Sequence, residues 1–135
     1  MKEEKASDVG GVIHCFSGDY AMASACMDMG FYISIPGTVT FNKAQTLKEV
    51  VRRIPLERVL IETDCPFLAP VPFRGKRNEP AYVQYVARAI ADIKKLSFET
   101  VAEVTSQNAR SVFGIPSRKP SNKPDRCRKL KQFEN

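Results

Sequence analysis

Along residues 9–115, short unbroken apolar runs alternate with longer stripes at helical spacing. The runs are "VGGVIHCF" (9–16), "FYISIPG" (31–37) and "RVLIET" (58–63), each closed by polar, glycine or proline positions, and each predicts a short buried strand. Pro36 and Gly37 break the second. Between the first two runs, Asp19 stands where a helix N-cap is needed, Met22, Cys26 and Met29 fall on one face, and Gly30 supplies the stop. From about Lys43, the positions Leu47, Val50, Val51 and Ile54 follow the i, i+3, i+4, i+7 rule until Pro55 ends the helix. The third run leads into "CPFLAPVPFRGKRNE", irregular and carrying prolines at 66, 70 and 72. A loop of this length in a compact region usually carries function or is disordered. Pro80, at a helix N1 position, then opens "PAYVQYVARAIADIKKL", striped by Val83, Val86, Ile90 and Ile93. Ser97 caps a last helix that buries Phe98, Val101, Ala102 and Val104 and ends at Gly114-Ile115-Pro116.

Strand and helix in alternation imply right-handed β-α-β crossovers, hence an α/β fold with about three parallel strands and covering helices. Three strands cannot close a barrel. The first and third are therefore expected to leave edges open, for a second copy of the chain or for a missing half to pair with.

Composition sharpens this reading in three ways. With 135 residues and 43% apolar content there is enough material for one core, and no apolar run approaches the roughly 18 residues of a membrane helix. The start, "MKEEKASDVGG", lacks the apolar segment of a secretion signal, so the expectation is a cytoplasmic protein with no membrane contact. Cys15, Cys26, Cys65 and Cys127 lie far apart with no C-x-x-C spacing, which predicts plain thiols rather than a zinc ribbon or a disulfide framework. Residues 116–135 hold seven Lys or Arg against two acids, a net +5 of the chain's +6, which leaves +1 for residues 1–115. The chain thus divides into a lead-in (1–8), a folded part (9–115) and a flexible basic tail (116–135). The tail is suited to nonspecific phosphate contact, and equally to plain solvation.

In a parallel sheet, functional groups gather at the carboxyl ends of the strands. The first run ends in His14, the only histidine, and the third in Glu62 and Asp64. An imidazole and a carboxylate at the same end of the sheet make half of a divalent-metal site. An ionised Asp64 closing a buried strand needs a metal, a cation or several hydrogen-bond donors. Glu62 and Asp64 point to the same side if extended geometry holds. Blander readings stand beside these: a lone histidine as a hydrogen-bonded structural residue, Asp64 as a turn former, and Glu62 paired with Arg74 or Arg77. "RGKRN" (74–78) puts Arg74, Lys76 and Arg77 in the loop leaving Asp64, a pattern for clamping phosphate or for a solvated loop.

Together "GVIHCFSG" (11–18), "FYISIPGTVTF" (31–41), "LIETDCPFLAP" (60–70), "FRGKRNEP" (73–80) and "VAEVTSQNARSVFGI" (101–115) resemble the TatD family of metal-dependent deoxyribonucleases, which are amidohydrolase-like TIM barrels. The resemblance implies that residues 9–115 are the carboxyl-terminal part of such a barrel, a partial TIM-type (β/α) barrel. It implies hydrolysis of a DNA phosphodiester with one or two divalent ions, of Mg, Mn or Zn. His14 corresponds to a metal-ligating histidine on the family's sixth strand, and Asp64 to the metal-ligating aspartate on its eighth, which also orients or deprotonates water. Arg74, Lys76 and Arg77 are candidates for DNA contacts. The family's HxH strand, its bridging-glutamate segment and its further metal histidine have no match here, so two ligands stand where catalytic zinc usually has three. The expectation is a truncated metal-dependent deoxyribonuclease, and two ligands leave open whether the chain acts alone or needs a missing half or a partner. The alternative is a catalytically dead half-barrel serving as a binding or assembly module, with its basic tail on nucleic acid.

Overall fold

In the computed structural model, which describes residues 10–116, each of the three apolar runs forms a strand shorter than the run that predicts it. They are β1 (Gly11–Ile13), β2 (Phe31–Ile35) and β3 (Val59–Ile61). Helices α1 (Tyr20–Asp28), α2 (Gln45–Arg53), α3 (Val83–Lys94) and α4 (Phe98–Phe113) accompany them. All pairing is parallel, with Ile13 opposite Ile33 and Ile35 opposite Ile61, in the order β1-β2-β3. The expected α/β fold with three parallel strands is what forms. Among the described residues the outer edges of β1 and β3 have no strand partner. The lead-in, Val9, Cys127 and all of the basic tail but Pro116 lie outside the described residues.

The core sits between the sheet and its helices. Ile33 and Ile35 of β2 and Val59 of β3 are fully buried, packed with Val50, Val51 and Ile54 from α2 and its end and with Val86, Ile90 and Val101 from α3 and α4. Asp19 caps α1 as its sequence position suggests, accepting from the Met22 backbone N–H at 2.9 Å. The predicted face of α1 is corrected, however: Met22 is 52% exposed, and Ala23 with Cys26 fills the buried side. α2 begins at Gln45 rather than near Lys43, after a 3-10 turn over Gly37–Thr40. Pro80 opens a 3-10 turn, Pro80–Tyr82, that leads into α3. Ser97 caps α4 by accepting from the Thr100 N–H at 3.1 Å, and Gly114 ends it at φ +64, where a side chain is disfavoured. No helix among the described residues is long and apolar enough to cross a membrane.

Because the strands are parallel, His14, Pro36 and Glu62 all follow strand ends on one side of the sheet. Two further hydrogen bonds extend the ladder there, Phe16 N–H to the Ser34 carbonyl and Glu62 N–H to the Ile35 carbonyl, both 3.1 Å. The long loop after β3 is fastened to this same end. The Val71 N–H donates to Thr40 Oγ1 at 2.9 Å, and the Leu68 carbonyl sits so close to Gly37 that a Cβ there would stand 2.9 Å from it. Phe73 stacks on Tyr82 with ring centroids 4.3 Å apart. The loop therefore follows a defined course over the ends of β2 and β3.

Candidate metal centre

The sheet ends where its backbone turns left-handed, at Cys15 after β1 (φ +48) and at Asp64 after β3 (φ +54). Residues other than glycine hold such angles only when their surroundings fix them, and they cluster at functional sites. At Cys15 the turn aims the backbone N–H at Glu62 Oε2, 3.1 Å away. The same oxygen accepts from Ser34 Oγ at 2.5 Å and lies 2.8 Å from His14 Nδ1. The other ring nitrogen, Nε2, faces Asp64 Oδ1 at 3.7 Å. One imidazole therefore stands between two carboxylates, Glu62 behind it and Asp64 in front.

Burial divides the work between these carboxylates. The Glu62 side chain is 12% exposed, against 36% for Asp64 and 68% for His14. Glu62 belongs to the interior, where it can orient the ring, while the more exposed His14 and Asp64 stand where an ion and a substrate can reach them. A separation of 3.7 Å is too long for a hydrogen bond and of the order expected for two donors on one ion, each about 2.0–2.2 Å from it. A carboxylate on the far nitrogen of a ligating histidine is the usual support for such a ligand. The electrostatics agree, since among the described residues no lysine or arginine pairs with Glu62 or Asp64, and Glu62 Oε1 is buried with no hydrogen-bond partner. Two carboxylates that share one imidazole and have no lysine or arginine partner among the described residues suit a bound cation. Among the described residues, no three His, Cys, Asp or Glu side chains are grouped to hold an ion. The donor set fits two ligands of a divalent ion, His14 Nε2 and Asp64.

The residues singled out from sequence separate here. His14, Glu62 and Asp64 come together. They do so although Asp64 leaves extended geometry, so simple alternation along a strand is not what aligns the two acids. The pairing of Glu62 with Arg74 or Arg77 does not form; His14, Ser34 and the Cys15 N–H occupy its Oε2 instead. Arg74 lies over the Phe41 ring, 4.3 Å from its centroid. Arg77 lines a cleft of about 370 Å³ with Cys65, Pro66, Asn78, Glu79 and Pro80, directly beside Asp64 in the chain. Lys76 is exposed on the same loop. Ser34 and Asn78 were not singled out from sequence. A serine inside the otherwise apolar "FYISI" is the signal that could have marked the first.

Cys15 responds to this environment. Burial, then the charges of Glu62 and Asp64, push its thiol above the ordinary range. The raised value favours the neutral form in the fold, so the reactive thiolate is scarce until the pH passes above that range. At pH 8, iodoacetamide should therefore label exposed Cys65 well before Cys15, as read by mass spectrometry of the separate peptides. Equal rates would contradict this account.

The TatD related DNase family matches residues 1–114. The "uncharacterized metal-dependent hydrolase" YabD of Bacillus subtilis strain 168 is 56% identical over 115 residues, which are 85% of this chain and 45% of that protein. YcfH of Escherichia coli K12, described in the same words, is 49% identical over 115 residues, 85% of this chain and 43% of its own length. The crystal structure of YJJV, a TatD homologue from Escherichia coli K12, superposes with a TM-score of 0.73 at 28% identity, over 78% of this chain and 41% of that one. A TatD family hydrolase from Entamoeba histolytica superposes with a TM-score of 0.75 at 23% identity over 85% and 46%, a likeness of fold. This chain thus spans less than half the length of the relatives it matches, and its three strands with their helices form a partial TIM-type (β/α) barrel. On the match over residues 1–114, the chain belongs to the TatD-related DNase family.

Proposed function

We propose that this chain is the carboxyl-terminal part of a divalent-metal-dependent hydrolase that cleaves DNA phosphodiesters. The observation that carries the proposal is the His14 imidazole held between buried Glu62 and the more exposed Asp64 at the carboxyl ends of the strands, with no lysine or arginine paired with either acid among the described residues. His14 Nε2 and Asp64 would hold a Mg, Mn or Zn ion; when bound, such an ion supplies Lewis-acid polarisation of the phosphate and lowers the pKa of water. Glu62 keeps the His14 proton on Nδ1, so that Nε2 offers a lone pair. Asp64, the more exposed acid, orients the attacking water and accepts its proton. Arg77 in the cleft beside Cys65, with Arg74 and Lys76 on the same loop, meets the phosphates of the DNA strand. The remaining ligands come from outside residues 10–116, from an upstream half or from a partner.

The test is release of nucleotide from end-labelled single-stranded DNA with Mg²⁺ or Mn²⁺, with and without chelator, by the chain alone and together with the upstream half of a family relative. Release that requires the ion is expected. Release that persists after chelation would sink the metal reading. One observation favours a second reading: the described residues hold two candidate ligands, where three protein ligands are usual for catalytic zinc. Under it the chain is a catalytically dead binding or assembly module, whose basic tail holds nucleic acid or whose open edges pair with a second copy. Binding would then survive chelation and fall steeply with salt, with no release at all.

A further inference from the structure

The residues on either side of Asn78 are exposed, yet Asn78 itself is 2% exposed, the most deeply buried polar residue among the described residues. Three of its four hydrogen bonds go to the backbone around Asp64. Its Nδ2 donates to the Thr63 carbonyl at 2.5 Å and to the Phe67 carbonyl at 2.7 Å, and its own N–H donates to the Pro66 carbonyl at 3.0 Å. Its Oδ1 accepts from the Glu79 N–H at 2.9 Å, which fixes the orientation of the amide. Thr63 and Phe67 stand on either side of the left-handed turn at Asp64, whose carbonyl accepts from the Phe67 N–H at 3.1 Å. One side-chain amide therefore bridges the entry and the exit of that turn. Strand pairing does not hold this segment, since β3 stops at Ile61 and its ladder at the Glu62 N–H.

We infer that Asn78 is a positioning residue for Asp64: by tying Thr63 to Phe67 it fixes the left-handed backbone that sets the Asp64 carboxylate against His14 Nε2. The inference rests on the reading of His14 and Asp64 as metal ligands. A matched comparison exists in the same fold. Asn108 on α4 donates from Nδ2 to the Leu56 and Val59 carbonyls at 2.9 and 2.8 Å, the same chemistry at the opposite end of β3, away from the two ligands. If buried amide bonds matter here only for stability, the two asparagines should be equivalent.

The experiment compares Asn78→Ala, Asn108→Ala and Asp64→Asn in the full chain, by itself and with the upstream half of a family relative added, with Mn²⁺ as the probe. Free Mn²⁺ is followed by electron paramagnetic resonance below every variant's melting point. Asn78→Ser, a milder change, replaces Asn78→Ala if the latter does not fold. Asn78→Ala should weaken Mn²⁺ binding by about 10–100-fold, as supporting residues of metal ligands do, while Asn108→Ala melts earlier but binds as wild type. Amide exchange at Phe67, which needs no metal, should speed up by about tenfold in Asn78→Ala only, as expected when a buried bond holding the turn is lost. Wild-type Mn²⁺ affinity in Asn78→Ala, beside weakened binding in Asp64→Asn, would overturn the positioning role alone. A wild-type chain that binds no Mn²⁺ even with the upstream half of a family relative added, or an Asp64→Asn chain that then binds as wild type, would show that the ligand reading has failed and the positioning role with it.

Discussion

With the upstream half of a family relative supplied, Asp64→Asn should abolish most of the metal-dependent hydrolysis while leaving the fold intact. Asparagine is nearly isosteric with aspartate and is among the residues that best tolerate φ near +54, so the left-handed turn and its Phe67 N–H to Asp64 carbonyl bond survive. What disappears is the charge, and with it the stronger ligand and the proton acceptor. Loss of a positioned acid or base costs about 10²–10⁴-fold in rate, and that is the drop expected in the turnover of labelled DNA. Thermal melting should stay at the wild-type value. Asp64→Ala is a poorer choice because alanine resists the left-handed angle, so a loss there would mix backbone change with chemistry. Turnover at the wild-type rate in Asp64→Asn would remove Asp64 from the mechanism.

The sheet and its helices were legible because their signals are local. The runs at 31–37 and 58–63 and the stripe Leu47, Val50, Val51, Ile54 are periodic patterns that the backbone obeys wherever one face is buried. α1 misled for the same reason. It has nine residues and a narrow buried side made by small Ala23 and Cys26, so the larger Met22 dominated the pattern while packing against β2 and α2 chose the other face. At the site, His14 and Asp64 could be read because each ends an apolar run. The contacts that hold them could not, although Glu62 itself stands out beside Asp64. Glu62 reaches the Cys15 N–H across 47 positions of sequence and Ser34 across 28, and Asn78 reaches the Thr63 carbonyl across 15. Periodicity reports which face a residue occupies, not which distant partner it will meet there.

Glu62 carries the second large effect, because one oxygen of its carboxylate serves three groups. Glu62→Ala would strip the acceptor from the Ser34 hydroxyl and the Cys15 N–H, at about 1–3 kcal/mol each, and would also remove the buried, unpartnered Oε1, which offsets part of that loss. A net destabilisation of roughly 1–3 kcal/mol is expected by denaturant titration. Glu62→Gln separates orientation from packing. The shape remains, but an amide can turn either its oxygen or its NH₂ toward Nδ1, so the preference for a proton on that nitrogen is lost. His14 is the only histidine in the chain, so ¹⁵N resonances of the imidazole report this without ambiguity of assignment. Wild type should show its neutral ring protonated at Nδ1, and Glu62→Gln a mixture of tautomers. Mn²⁺ affinity should fall by about 10–100-fold in step with that mixture, because only the ring with a bare Nε2 can ligate. An unchanged ¹⁵N pattern would mean that Glu62 braces the Cys15 turn and Ser34 but does not set the proton on His14. The lone pair at Nε2 would then owe nothing to the carboxylate behind it.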